Sequence, residues 1–217
     1  NHEIVGVLCD GMGGHLAGEV ASTLVSRYVI EHFFDHSPFL DDESIHAWIS
    51  SLLLTANDLV NKESDMHSEY AGMGTTIVIC YMDGKNTYIS HVGDSRAYLY
   101  KDTLKQITAD DTFVNELVKR GLINAEEASH HPKRNVLVQA IGIKEALRIS
   151  FYKIEEDYRA ILLCSDGLYN SLSSQQIEEI LQKNASVDQK TECLIQSANE
   201  FGGLDNIGVL LIEKGEA

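Results

Sequence analysis

Apolar residues along the chain fall into two alternating periods. Residues 4–9 (IVGVLC) form a short unbroken apolar run, the mark of a buried strand, and stop at the glycine-rich turn DGMGG. From about residue 16 to 34, Ala17, Val20, Ala21, Leu24, Tyr28 and Val29 recur at helical spacing. Asp42 is placed to cap a second helix, whose stripe is Ile45, Trp48, Ile49, Leu52, Leu53, Ala56, Leu59 and Val60. The period then shortens. Residues 75–82 and 85–92 are strand-like and flank Asp83-Gly84, a two-residue hairpin signal. Residues 96–100 and 104–107 predict a second hairpin, and a polar helical stretch follows from 113 to 121. Further strands are expected at 136–141, 147–154 and 160–164. Ser173 with Gln176 reads as a capping box opening a helix, another helix covers about 188–199, and a strand at 207–212 closes the chain.

Hairpins mean antiparallel sheet, and the helices are too clustered for repeated βαβ units. The expected class is α+β, a four-layer αββα sandwich of two antiparallel β-sheets flanked by helices. At 217 residues and 44% apolar content, with two prolines and no low-complexity linker, residues 1–217 read as a single domain.

A formal charge of −16 opposes sequence-independent nucleic-acid binding, which needs a basic surface. Cys9, Cys80, Cys164 and Cys193 form no CxxC pair, which leaves zinc without a ligand spacing and points to free thiols in a reducing compartment. No apolar run in this sequence is long enough to cross a bilayer, and no membrane contact is evident; a cytoplasmic location is expected.

The chemistry lies in four aspartates, each beside glycine or asparagine at the end of an apolar run: Asp10 in VGVLCDGMGGH, Asp94 in ISHVGDSRAYLY, Asp166 in AILLCSDGLYN and Asp205 in FGGLDNIGVLLI. Such placement delivers carboxylates to the end of a sheet. Clustered carboxylates repel one another unless a cation neutralises them, and hard oxygen donors suit Mg²⁺ or Mn²⁺. Ser165 has no GxSxG elbow around it, so a Ser/His/Asp triad is a poor reading. His91 reads as a packed core histidine; His130 and His131 read as surface residues.

In order along the chain, DGMGGHLAGEVAS (10–22), MGTT (73–76), HVGDSRAYLY (91–100), HPKRNVLVQAIG (131–142), CSDGLYNSLS (164–173) and GGLDNIGVLLI (202–212) resemble the metal-dependent protein phosphatases of the PPM or PP2C type in their bacterial form. The resemblance implies two antiparallel sheets between helical layers. It also implies hydrolysis of phosphoserine and phosphothreonine in proteins, opposing a bacterial Ser/Thr kinase, by water held between two Mn²⁺ or Mg²⁺ ions. Asp10 would bridge both ions, the Gly11 carbonyl would bind one, and Asp166 and Asp205 would complete the other. Asp94 matches the position linked to a third ion shared with Asp166; the other reading has it only accepting hydrogen bonds from Ser95 or Arg96. Thr75 and Thr76 would bond backbone near the site.

The general acid stays open between His15 and a metal-bound water, because Met12 occupies the position that follows Asp-Gly and cannot donate a proton. Residues 109–135 match the flap beside the cleft, with Asp110-Asp111-Thr112 where the family has Asp-His-Ser; an exposed helical pair is the alternative. The family pattern begins with an earlier strand carrying a phosphate-gripping arginine and an Asn-(Glu/Gln)-Asp motif. The sequence starts at Asn1 without that strand, so a catalytically impaired module that binds metal and recognises phosphoproteins is the competing function.

Overall fold

The computed structural model describes residues 3–203 and 205–215, with the side chain of His15 outside the description. The chain enters through β1 (Ile4–Leu8) and a short β2 (Gly11–Met12), then forms α1 (His15–His32) and α2 (Asp42–Met66). Strands β3 (Gly74–Thr75), β4 (Ile77–Met82), β5 (Thr87–Val92), β6 (Arg96–Tyr100) and β7 (Leu104–Gln106) follow. Two short helices, α3 (Phe113–Lys119) and α4 (Ala125–His130), precede β8 (Ser150–Ile154) and β9 (Ala160–Cys164). The chain ends through α5 (Asp166–Tyr169), α6 (Ser174–Leu181), α7 (Val187–Glu200) and β10 (Val209–Glu213).

One four-stranded antiparallel sheet has the order β1-β4-β5-β8 and the other β10-β9-β6-β7, with β2 and β3 as a separate ribbon. Alternation along the strands generates the layers. On β4, Ile77, Ile79 and Tyr81 pack with Val25, Val29, Ile49 and Leu53 of the first two helices, whereas Val78 and Cys80 point the other way. These meet Ala97, Leu99, Ile161 and Leu163 between the sheets. On β9 the opposite set, Ala160, Leu162 and Cys164, packs under Ile177, Leu181 and Leu194 of α6 and α7. The result is the expected αββα sandwich. Among the described residues, no helix is long and apolar enough to cross a membrane.

Several boundaries differ from expectation. Asp41, not Asp42, caps α2: its side chain accepts from Ser44 N at 2.8 Å, and the Ser44 hydroxyl returns the bond. Asp42 is thereby free to accept from Tyr88 Oη and Lys153 Nζ. The hairpin after β4 turns at Gly84-Lys85, one residue later than expected: Asp83 N donates to Asn86 O at 3.2 Å, and the Asp83 carboxylate accepts from both Lys85 N and Asn86 N. The strand expected at 136–141 is absent; Leu137 bridges Thr112 and Ile141 bridges Thr75, two unrelated partners that cannot build one ladder. The strand at 75–82 breaks at Thr76, whose backbone turns to Asp10 instead.

Candidate active site

Asp10 follows the end of β1, and its backbone is fixed from three directions. Its N–H donates to Thr76 Oγ1 at 3.1 Å; its carbonyl accepts from Thr76 N at 2.8 Å and from Thr75 Oγ1 at 2.9 Å. The Thr76 hydroxyl shares a 2.7 Å hydrogen bond with that of Ser95, which ties Asp10 to the turn carrying Asp94. Thr75 and Thr76 thus bond backbone as expected. Gly11 is required by packing: a Cβ there would lie 2.0 Å from the Gly18 carbonyl oxygen, so glycine lets α1 press against the loop.

Asp166 and Asp205 are brought together by a second clasp. Ser165, buried at the end of β9, donates through its hydroxyl to Asn206 O at 3.2 Å and accepts from Gly208 N at 2.8 Å. A Cβ on Gly167 would come within 2.3 Å of Asn206 O, so this contact also depends on a bare backbone. Ser165 is committed to two backbone partners and has a clamping part rather than a nucleophilic one. The Asp166 carboxylate accepts from Asn170 Nδ2 at 3.1 Å, and Asp205 accepts from Asn206 N at 2.8 Å.

Neighbouring aspartate charges reach Asp10, Asp94 and Asp166. Burial, then the charges of Asp166 and Asp205, push the Asp10 carboxyl up to about 7. Burial, then Asp166, Asp110 and Asp10, push Asp94 up to about 7. Burial and Asp205 raise Asp166. A cavity of about 600 Å³ is lined by Asp10, Gly11 and Asp205, and another of about 640 Å³ by Asp94 and Asp166. Among the described residues, no three His, Cys, Asp or Glu side chains are arranged to hold a single ion. The carboxylates pair across two cavities, an arrangement that fits ions completed by backbone oxygen and water rather than an all-side-chain cage.

No histidine among the described residues lines either cavity. His91 is fully buried in β5 with Nε2 3.2 Å from Ala109 O, as a core histidine should be, and burial lowers its basicity. The side chain of His15 lies outside the described residues. Cys9 is no nucleophile either: burial and the Asp10 charge push its thiol up to about 12.

The sequence profile of the protein phosphatase 2C family matches residues 1–199. The chain is 36% identical to the serine/threonine phosphatase stp of Listeria welshimeri over 216 residues, covering 99% of this chain and 85% of that protein. The crystal structure of the serine/threonine phosphatase Stp1 from Staphylococcus aureus superposes with a TM-score of 0.88 at 33% identity, covering 98% of this chain and 84% of that one. The catalytic domain of the serine/threonine protein phosphatase PstP, crystallised in complex with 2 manganese ions, superposes with a TM-score of 0.79 at 35% identity over 96% of this chain and 89% of that one. The chain belongs to the bacterial protein phosphatase 2C family of serine/threonine phosphatases.

In this phosphatase, the segment from 109 to 135 carries α3 and α4 and contributes Thr112, Ala128, Arg134 and Asn135 to the wall of the Asp94–Asp166 cavity. Its root is pinned. Asp111 N donates to Gly93 O at 2.9 Å, and Gly93 N donates back to the Asp111 carboxylate at 3.1 Å. Thr112 caps α3 by accepting from Asn115 N at 3.3 Å. Reading the sequence alone missed the ionic partner of this root, Arg96, which grips Asp110. A charged residue two positions after Asp94, at the head of the otherwise apolar strand RAYLY, was the available signal.

Proposed function

We propose that this phosphatase hydrolyses phosphoserine and phosphothreonine in proteins at a centre of two divalent cations, Mn²⁺ or Mg²⁺. Asp10, the Gly11 carbonyl, Asp166 and Asp205 would hold the pair, with backbone oxygen and water making up the remaining ligands, and Asp94 with Asp166 would hold a third, weaker ion. When bound, such a pair lowers the pKa of water between its members and clamps phosphoryl oxygens for in-line attack. The chain's own part is to hold the acceptor oxygens. Thr75, Thr76 and Ser95 fix the Asp10 backbone, and Ser165 fixes the Asp205–Gly208 loop against Asp166.

The observation that carries this reading is the placement of Asp10 beside Asp166 and Asp205 with no cationic side chain, among the described residues, to offset their charges at Asp10: burial first, and then those two charges, push its carboxyl up to about 7. A carboxylate cluster of that kind is stable at neutral pH when cations bind it. The relative with 2 manganese ions supports the same class of cofactor. A cytoplasmic location and a cognate Ser/Thr kinase as the opposing partner belong to the same proposal; the four free cysteines support a reducing compartment. The 109–135 segment, walling the cavity of Asp94 and Asp166, is assigned to substrate selection as a flap. The relatives are named as phosphatases, which does not favour a module that binds without turnover.

The test is hydrolysis of para-nitrophenyl phosphate and of a phosphothreonine peptide with Mn²⁺, with chelator and Asp166→Asn as controls. Losing one charge-stabilising group at such a centre costs about 10²–10³-fold in kcat. Turnover that survives chelation, or is unchanged in Asp166→Asn, would overturn the proposal.

A further inference from the structure

We propose that Arg96 is a positioning residue for the reaction, coupling the root of the 109–135 segment to the backbone that carries Asp94. The inference rests on the reading that places Asp94 and Asp166 at the catalytic centre. Its basis is one guanidinium making contacts on three separate elements. Nε lies 2.9 Å and 3.2 Å from the two Asp110 carboxylate oxygens, and Nη2 lies 2.7 Å from Oδ2, a forked pair at the start of the segment. Nη1 donates to Tyr98 Oη at 3.0 Å on its own strand. The flat face of the group sits 3.5 Å from the centroid of the Tyr169 ring in α5, the short helix that Asp166 opens. Tyr169 Oη in turn donates to the Asp94 carbonyl at 3.0 Å.

The side chains of Arg96 and Asp110 are only 23% and 16% exposed, so water does not screen the pair as it would on the surface. Asp110 is held further by Gln106 Nε2 at 3.1 Å, and its carbonyl accepts from Asn115 Nδ2 in α3 at 2.6 Å. A path of direct contacts therefore runs from α3 through Asp110, Arg96 and Tyr169 to Asp94. Arginine is needed for its shape. Lysine keeps the charge but can neither fork a carboxylate nor lie flat on a ring. Loss of the fork would release the segment root, and loss of the stack would free Tyr169 to leave the Asp94 carbonyl.

The test compares Arg96→Lys, Asp110→Asn and the double variant with the wild-type phosphatase. Asp110→Asn preserves the side-chain shape should the arginine change unfold the chain. Three quantities are read: Mn²⁺-dependent kcat and KM on para-nitrophenyl phosphate, Mn²⁺ affinity by calorimetry, and the rate of trypsin cleavage at the exposed Lys119, Arg120, Lys133 and Arg134. Cleavage is measured well below the melting temperature. Each single variant is expected to lower kcat about tenfold with little change in KM, to weaken Mn²⁺ binding, and to speed cleavage severalfold; the double variant should lose no more than a single one, because both cut the same link.

Wild-type values within about twofold for kcat and cleavage in Arg96→Lys would overturn the inference, as would additive losses in the double variant. So would a fall in melting temperature with no change in cleavage or Mn²⁺ affinity, the outcome of a purely structural ion pair. A wild-type protein without Mn²⁺-dependent turnover would instead sink the phosphatase reading, while calorimetry and proteolysis still decide whether Arg96 joins segment and site.

Discussion

Asp10→Asn should make the metal-free protein more stable and the Mn²⁺-loaded protein less so. In the folded chain the Asp10 carboxyl is pushed from 3.8 up to about 7, chiefly by burial and then by Asp166 and Asp205. Between those two values the native state binds more protons than the unfolded state, so metal-free stability falls as pH rises through the window. At about 1.4 kcal/mol per tenfold change, the full gap is worth roughly 4 kcal/mol above pH 7. Asp10 is only partly buried, and solvent screening reduces the cost to about 2 kcal/mol. Asparagine keeps the shape and removes the charge. For a chain of this size, relief of that cost should raise the melting temperature by about 4–8 °C in chelator at pH 8, and by much less at pH 5. With Mn²⁺ at a hundred times its dissociation constant, the wild type gains about 2.7 kcal/mol from binding, which the variant should largely lose. Calorimetric melts of both proteins, with chelator and with Mn²⁺, give all four values. If Asp10→Asn melts at or below the wild type in chelator at pH 8, or if Mn²⁺ raises both proteins equally, the repulsive cluster is not what the charges imply.

Ser165→Ala should cost about 1–3 kcal/mol in urea denaturation, because its hydroxyl serves Asn206 and Gly208, yet it should keep turnover within about tenfold. Complete loss of turnover in a folded variant would reinstate a nucleophilic serine. Gly11→Ala places a methyl 2.0 Å from the Gly18 carbonyl oxygen and should destabilise by about 1–3 kcal/mol or prevent folding; an unchanged urea midpoint would mean that α1 can back away freely. Leu163→Ala, which empties a place between the two sheets, should cost about 2–5 kcal/mol with Mn²⁺ affinity little altered, as calorimetry on the folded variant would report.

The layers were legible because helix and strand periods are both strong here. The stripe from Ile45 to Val60 names one buried helix face, the unbroken apolar run from Ile77 to Tyr81 marks a strand covered on both faces, and the structure buries them so. Turn chemistry was read less well. Asp83-Gly84 looks like the centre of a two-residue hairpin, but the Asp83 carboxylate reaches Lys85 N and Asn86 N and the turn centres on Gly84-Lys85, a shift of one residue that sequence spacing alone does not encode. Residues 136–141 have the apolar content of a strand and lack a partner strand; pairing is a tertiary fact. At the site, four aspartates beside small residues could be picked out, because a carboxylate ending an apolar run is an expensive placement. The link from Arg96 to Asp110 spans residues 14 apart, and its path to Asp94 passes through Tyr169, which no local pattern connects to either.

The two sheets explain why the carboxylates meet. Asp10 leaves the first sheet after β1, Asp166 leaves the second after β9, Asp205 precedes β10, and Asp94 sits in the crossing from β5 in one sheet to β6 in the other. All four therefore lie where chain passes off or between the layers. The hydroxyls that bind these loops together, Thr75, Thr76, Ser95 and Ser165, bond backbone or one another and leave the carboxylate oxygens alone. Among the described residues, hydrogen bonds at Asp10 go to its backbone and none to its carboxylate. A fold that merely tolerated buried acids would spend donors on their oxygens, because an unpaired buried charge is costly. Asp166 and Asp205 each accept such a donor, from Asn170 Nδ2 and Asn206 N, but at Asp10 the donors fix the backbone alone, and the proposed cations are what would offset the charge left there.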